Sequence, residues 1–163
     1  MAAKRSAGIL LYRTAADSLQ MLLVHPGGPY WTKRDRGAWT IPKGEYEEGE
    51  APRECALREL GEELGTAPEL DVEALIDLGA IRQKSGKVVE AWAAEADFDP
   101  AELNSNTFTM EWPPRSGQQE EFPEVDRAEW FTPEAAREKI IPAQGELIDR
   151  LLERVGVGGT GGA

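Results

Sequence analysis

The chain of 163 residues has one cysteine, one histidine and no long apolar run, and each scarcity excludes something. A single thiol, Cys55, cannot form an intramolecular disulfide, so the sequence suits a reducing compartment and Cys55 reads as a small buried hydrophobe rather than a nucleophile. The longest apolar stretch near the start, 7–12, is too short for a signal-peptide core or a membrane span. These features predict a cytoplasmic protein without membrane contact. His25 ends an apolar run just before Pro26, and with no Ser or Cys partner discernible it reads as a strand-end structural residue rather than part of a triad. Bases are scarce as well: 18 Lys and Arg against 30 Asp and Glu leave a net charge of −12. That balance argues against wrapping duplex nucleic acid, which needs many clustered cations to displace counterions. A phosphate-bearing ligand must then be reconciled with negative charge locally, and a bound divalent cation is the simplest means.

What is present fits one ordinary core. Hydrophobic residues make up 40% of the chain and charged residues 29%, and the length lies well below the size at which cores split, so residues 1–155 are expected to form one domain. The tail 156–163 holds five glycines in eight residues and is expected to be mobile. No feature of the sequence points to a particular oligomeric state. The runs 6–13 and 19–25 are branched and apolar around a polar turn, which predicts two strands, and 38–41 suits a short one before Pro42. Residues 51–64 carry Pro52 at the start, Leu57, Leu60 and Leu64 at helical spacing and Gly65 as a stop, which predicts a helix. Further strands are expected at 74–82, 88–98 and 127–131, with helices at 133–139 and 145–155. Strands mixed with helices imply an α/β fold of packed layers.

The chemistry concentrates between Gly44 and Thr66, which reads GEYEEGEAPRECALRELGEELGT. Eight acids face two bases there, so −6 of the net −12 lies in 23 residues. On the predicted helix Glu59, Glu62 and Glu63 stand at i, i+3 and i+4, about 5 to 6 Å apart at Cβ, and their mutual repulsion opposes the helix. They also crowd its C-terminal end, where the helix dipole disfavours anions. Such a cluster invites a cation between the carboxylates. With no His or Cys among them, an oxygen-binding ion such as Mg²⁺, with Mn²⁺ as a substitute, is favoured over zinc.

The frame around these acids is more specific than the acids themselves. Gly44, then Glu50, then Arg58-Glu59-Leu60-x-Glu62-Glu63-x-Gly65 resembles the signature of the Nudix hydrolase family, with Gly37-Ala38-Trp39-Thr40-Ile41-Pro42-Lys43 leading into it. One position departs: Thr66 stands where the family usually has a bulky aliphatic. The resemblance implies an α/β/α sandwich with a mixed central sheet, and a metal-dependent pyrophosphohydrolase acting on a nucleoside diphosphate linked to another moiety. By the same resemblance, Glu59, Glu62 and Glu63 bind metal together with the main-chain carbonyl of Lys43, while Glu50 and Arg58 pair as a brace. Glu59 is the first candidate for the general base. Some family members place the base on a later loop, a role open here to Glu120 or Glu121 within 115–123, and Glu121 is also a candidate metal ligand.

Upstream, Lys33, Arg34, Arg36 and Lys43 against Asp35 give 30–43 a net charge of +3 beside the acidic segment. Lys33, Arg36 and Lys43 suit a phosphate chain and Trp31 a stacked base, while a packing role is at least as good a reading of Trp31. The expected partner is a small-molecule nucleotide: a nucleoside triphosphate, a dinucleoside polyphosphate or a nucleotide sugar. No tyrosine follows Tyr46, so the residue that often follows the signature in dinucleoside polyphosphate hydrolases has no counterpart. The alternative is a regulatory module of the same fold that binds a nucleotide without cleaving it.

Overall fold

The computed structural model describes residues 4–15 and 17–156. A central sheet runs in the order β4(Ile76–Arg82), β5(Val88–Glu95), β1(Arg5–Ala15), β2(Ser18–Pro26), β8(Val125–Phe131), with β3(Lys43–Glu45) also paired to β1. It is mixed: β1 runs parallel to β5 and antiparallel to β2 and β3. β1 lies in the middle of the sheet and is buried from Ser6 to Leu11, so it reads as a continuous apolar run rather than an alternating one. Its side chains still part by twos. Ile9 and Leu11 join Leu22, Val24, Cys55, Ala56, Leu60 and Leu64 under helix α1(Pro52–Leu64). Leu10, with Met21 and Leu23, faces α2(Pro133–Lys139) and α3(Gly145–Val155) on the other side. Helices therefore cover both faces, the α/β/α layering with a mixed sheet that the signature implied.

All three helices span the residues expected of them, 52–64, 133–139 and 145–155, within a residue. α1 begins at Pro52 and ends at Gly65 in the left-handed region, φ 90°, with its N–H on the Gly61 carbonyl. α2 is capped by Thr132, whose side chain accepts from the Ala135 N–H.

The strands needed more correction. Residues 38–41 make only isolated bridges, Thr40 to Val24 and Trp39 to Ile140, and pairing with β1 begins at Lys43, beyond Pro42. Residues 72–74 form a 3-10 turn, so β4 starts at Ile76. β5 stops at Glu95 rather than Phe98. The segment 115–123, read as a loop, contributes Gln119–Pro123 as β7, paired antiparallel with β6(Thr107–Glu111). Phe108 faces Phe122 across this hairpin at 6.0 Å, while the acids Glu120 and Glu121 hid the strand pattern. The tail beyond Gly156 lies outside the described residues. Among those described, no helix is long and apolar enough to cross a membrane.

Candidate active site

The acids of α1 are positioned by a glycine and an arginine. Gly44 lies in β3 directly against Glu59: a Cβ on it would come within 2.0–2.1 Å of the Glu59 carboxylate. Only glycine lets that carboxylate lie on the β3 backbone, where it is buried. Arg58 then gathers the surrounding charge. Its Nε and Nη2 donate to Glu50 at 2.7 and 2.9 Å, a two-pronged bond that fastens the loop before α1 to the helix. Nη1 donates to Glu62 Oε2 at 2.9 Å and to Glu59 Oε2 at 3.1 Å. Nη2 also reaches the Glu45 carbonyl at 3.1 Å, and the Glu47 N–H donates to Glu50. The guanidinium holds the Glu50 carboxyl down to about 2.

The remaining acids lean the other way. Burial, and then repulsion from Glu62, raises the carboxyl of Glu59. Burial pushes Glu63 up to about 8 against a bond from the Lys43 N–H to its Oε1 at 3.2 Å. The Lys43 ammonium is lowered, first by burial, although Glu63, Glu45 and Glu59 oppose the shift. β3 thus places both the backbone and the charge of Lys43 among the acids.

A fourth carboxylate arrives from elsewhere in the chain. Glu124, between β7 and β8, is raised by partial loss of water and then by Glu62, and it in turn raises Glu59 and Glu63. It lies one residue beyond the segment 115–123 that carries Glu120 and Glu121, and in a chain so rich in acids nothing local marks it. Glu121 stands apart from this group: it is exposed on β7 and accepts from Thr107 Oγ1 at 2.9 Å. Glu120 is exposed opposite Met110.

The basic loop is tied to other partners. Arg36 is exposed and nearest Glu138 of α2 at 3.9 Å, Lys33 is exposed, and Trp31 is half-buried with the Arg34 guanidinium 5.4 Å from its ring centre. Buried His25 pins this loop, its ring nitrogens reaching Asp126 Oδ1 at 2.7 Å and the Arg34 carbonyl at 2.6 Å. Trp39 is buried and donates to Asp35 at 2.7 Å. Both residues are structural here.

Oxygen donors under mutual repulsion, one of them seated in a cradle that a Cβ would fill, suit a hard divalent cation. Among the described residues no three such side chains are gathered closely enough to hold an ion as they stand. Arg58 Nη1 instead lies between two of them, donating to both Glu59 and Glu62.

The mixed sheet between helices, with this acid-bearing helix packed against β1 and β3, defines a recognisable class. The NUDIX domain family model matches residues 2–151, and the chain belongs to the Nudix family. The RNA pyrophosphohydrolase of Roseobacter denitrificans (strain ATCC 33942 / OCh 114) is 61% identical over 33 residues, a match covering 20% of this chain and 21% of that protein. Among solved structures, a C. elegans Ap4A hydrolase in a binary complex superposes with a TM-score of 0.65 at 22% identity, covering 94% of this chain and 98% of that one. The NUDIX domain of Shewanella oneidensis NrtR, complexed with ADP ribose, gives 0.63 at 17% identity over 95% and 90%.

Proposed function

We propose that this protein hydrolyses a diphosphate linkage in a nucleotide, with Mg²⁺ held by Glu59, Glu62, Glu63 and the Lys43 carbonyl. The observation that carries this reading is the placing of Glu59, Glu62 and Glu63 on the end of α1, with the Glu59 carboxylate seated on Gly44 and the Lys43 N–H bonded to Glu63. Neighbours of the fold include an Ap4A hydrolase and a NUDIX domain complexed with ADP ribose, which favours a nucleoside diphosphate joined to a further group. Mg²⁺, when bound, supplies charge neutralisation at the phosphate oxygens and acidifies water.

The chain's own groups then have separable duties. Arg58 and Glu50 brace the loop before α1 against the helix, a positioning rather than a catalytic duty. The Lys43 side chain, desolvated beside the acids, is placed to meet a phosphate oxygen, and Lys33, Arg36 and Trp31 offer a more distant basic and aromatic surface for the rest of the nucleotide. Two acids compete for the proton of the attacking water. Glu59 is buried on Gly44, and Glu124 stands exposed at the rim with its proton affinity raised.

A panel of nucleoside triphosphates, dinucleoside polyphosphates and nucleotide sugars, assayed for phosphate or monophosphate release with Mg²⁺ and with EDTA, tests the reaction. Mg²⁺-dependent turnover that Glu63→Gln lowers by orders of magnitude in a folded protein is the expected result. Binding of nucleotides without release of product assigns the protein to the non-catalytic module instead. Comparing Glu59→Gln, Glu124→Gln and Glu121→Gln identifies the base as the residue whose loss lowers kcat most, with Mn²⁺ affinity kept for Glu124 or Glu121 and weakened for Glu59, which also holds the ion.

A further inference from the structure

The last turn of α1 leaves carbonyls without helical partners, and residues 104–106 supply them. The Asn104 N–H donates to the Leu64 carbonyl and the Asn106 N–H to the Glu62 carbonyl, both at 3.0 Å. This segment runs so close to the helix end that a Cβ at Gly65 would lie 2.2 Å from the Asn104 carbonyl oxygen, so the glycine that ends the helix also admits the strut. The other side of the strut faces the β7–β8 junction. The Glu124 N–H donates to the Asn106 carbonyl at 2.8 Å, and the Val125 N–H to Ser105 Oγ at 3.1 Å. Asn106 therefore holds the main chains of Glu62 and Glu124 at once. Its side chain adds a third link, Nδ2 to Glu62 Oε1 at 3.4 Å.

From these contacts we infer that Asn106 is a positioning residue, which sets the spacing of Glu62 and Glu124 and aims the Glu62 carboxylate. The inference rests on the functional reading above, since it needs those two acids to work as a pair. The Glu62 carboxylate is held from two sides: Arg58 Nη1 donates to its Oε2 at 2.9 Å and the Asn106 amide to its Oε1. Asn106 is exposed, so its substitution removes the amide without opening a core, and the two backbone bonds remain.

The test compares Asn106→Ala and Asn106→Leu, which lack the donor, with Asn106→Gln, which keeps it one methylene further out. Mn²⁺ affinity of the full chain, followed by calorimetry, is read beside steady-state turnover of a nucleotide and the melting temperature. Loss of an outer partner of a metal ligand lowers affinity or rate by about tenfold to a hundredfold, so Ala and Leu should weaken Mn²⁺ binding by about tenfold and lower kcat with KM little changed. Gln should recover part of both, and all four proteins should melt alike. Variants that bind Mn²⁺ and turn over like the wild type overturn the role of Asn106 and leave the reaction standing. A fall in melting temperature that tracks the loss of affinity, with no recovery in Gln, makes Asn106 merely structural and overturns it equally. A wild-type chain that neither binds Mn²⁺ nor releases product overturns the functional reading, and the role of Asn106 falls with it.

Discussion

At the scale of a residue, the site depends on an atom that is missing. Gly44 has no Cβ, and the Glu59 carboxylate occupies the space where one would lie. Alanine there must push the Glu59 carboxylate off its seat, the end of a side chain that is buried and held by Arg58. Gly44→Ala is therefore expected to lower kcat by about a hundredfold, in the upper range for disturbing a metal-ligand shell, with weaker Mn²⁺ binding and an unchanged far-UV spectrum. A variant with wild-type turnover would remove Glu59 from the chemistry. The same logic explains what was legible at this scale. The order Gly44, Glu50, Arg58, Glu59, Glu62, Glu63, Gly65 names residues whose types have no substitutes: a glycine for a close approach, a fork-shaped cation for a carboxylate, acids for an ion.

At the scale of an element, α1 is held less by its intrinsic preference than by what surrounds it. Acids fill its C-terminal half, no basic residue lies in its last turn, and Arg58 is the side chain that offsets their repulsion. Breaking a buried ion pair from one side costs about 3–5 kcal/mol, and with the Arg58 side chain 23% exposed we expect about 2–3 kcal/mol for Arg58→Ala, measured by urea unfolding without metal. Mg²⁺ should restore part of that loss, because an ion on Glu59 and Glu62 replaces the guanidinium. Equal losses with and without Mg²⁺ would argue that no ion binds there. The helices were readable from 3.6-residue periodicity, proline starts and glycine stops, all local signals. The β6–β7 hairpin was not: its exposed Glu120 and Glu121 look like loop residues until Phe108 is seen opposite Phe122.

At the scale of the whole molecule, a net charge of −12 and a raised cluster of carboxyls tie stability to pH and to divalent ions. Glu63 moves from an ordinary 4.5 to about 8 in the folded chain, so the native state holds a proton that the unfolded state has released. Stability then falls as pH rises across that window and levels above it. Glu50 contributes in the opposite sense, losing its stabilisation only as pH drops below 4.5 toward 2, so the two effects do not overlap. In EDTA the melting temperature should decline between pH 5 and about pH 8, and Glu63→Gln should flatten the decline. Added Mg²⁺ should do the same by binding the ionised form, and more effectively than NaCl at matched ionic strength.

The sequence by itself determined the layers, the three helices and the identity of the acids on α1, because these follow from periodicity and from side-chain types fixed along one short stretch of chain. It could not determine which later glutamate joins them. The strut of residues 104–106 ties the Glu124 main chain to the end of α1 across more than fifty positions of sequence, while Glu121 is exposed on β7. Contacts of that span leave no local pattern, since each partner satisfies only a backbone group that every residue carries.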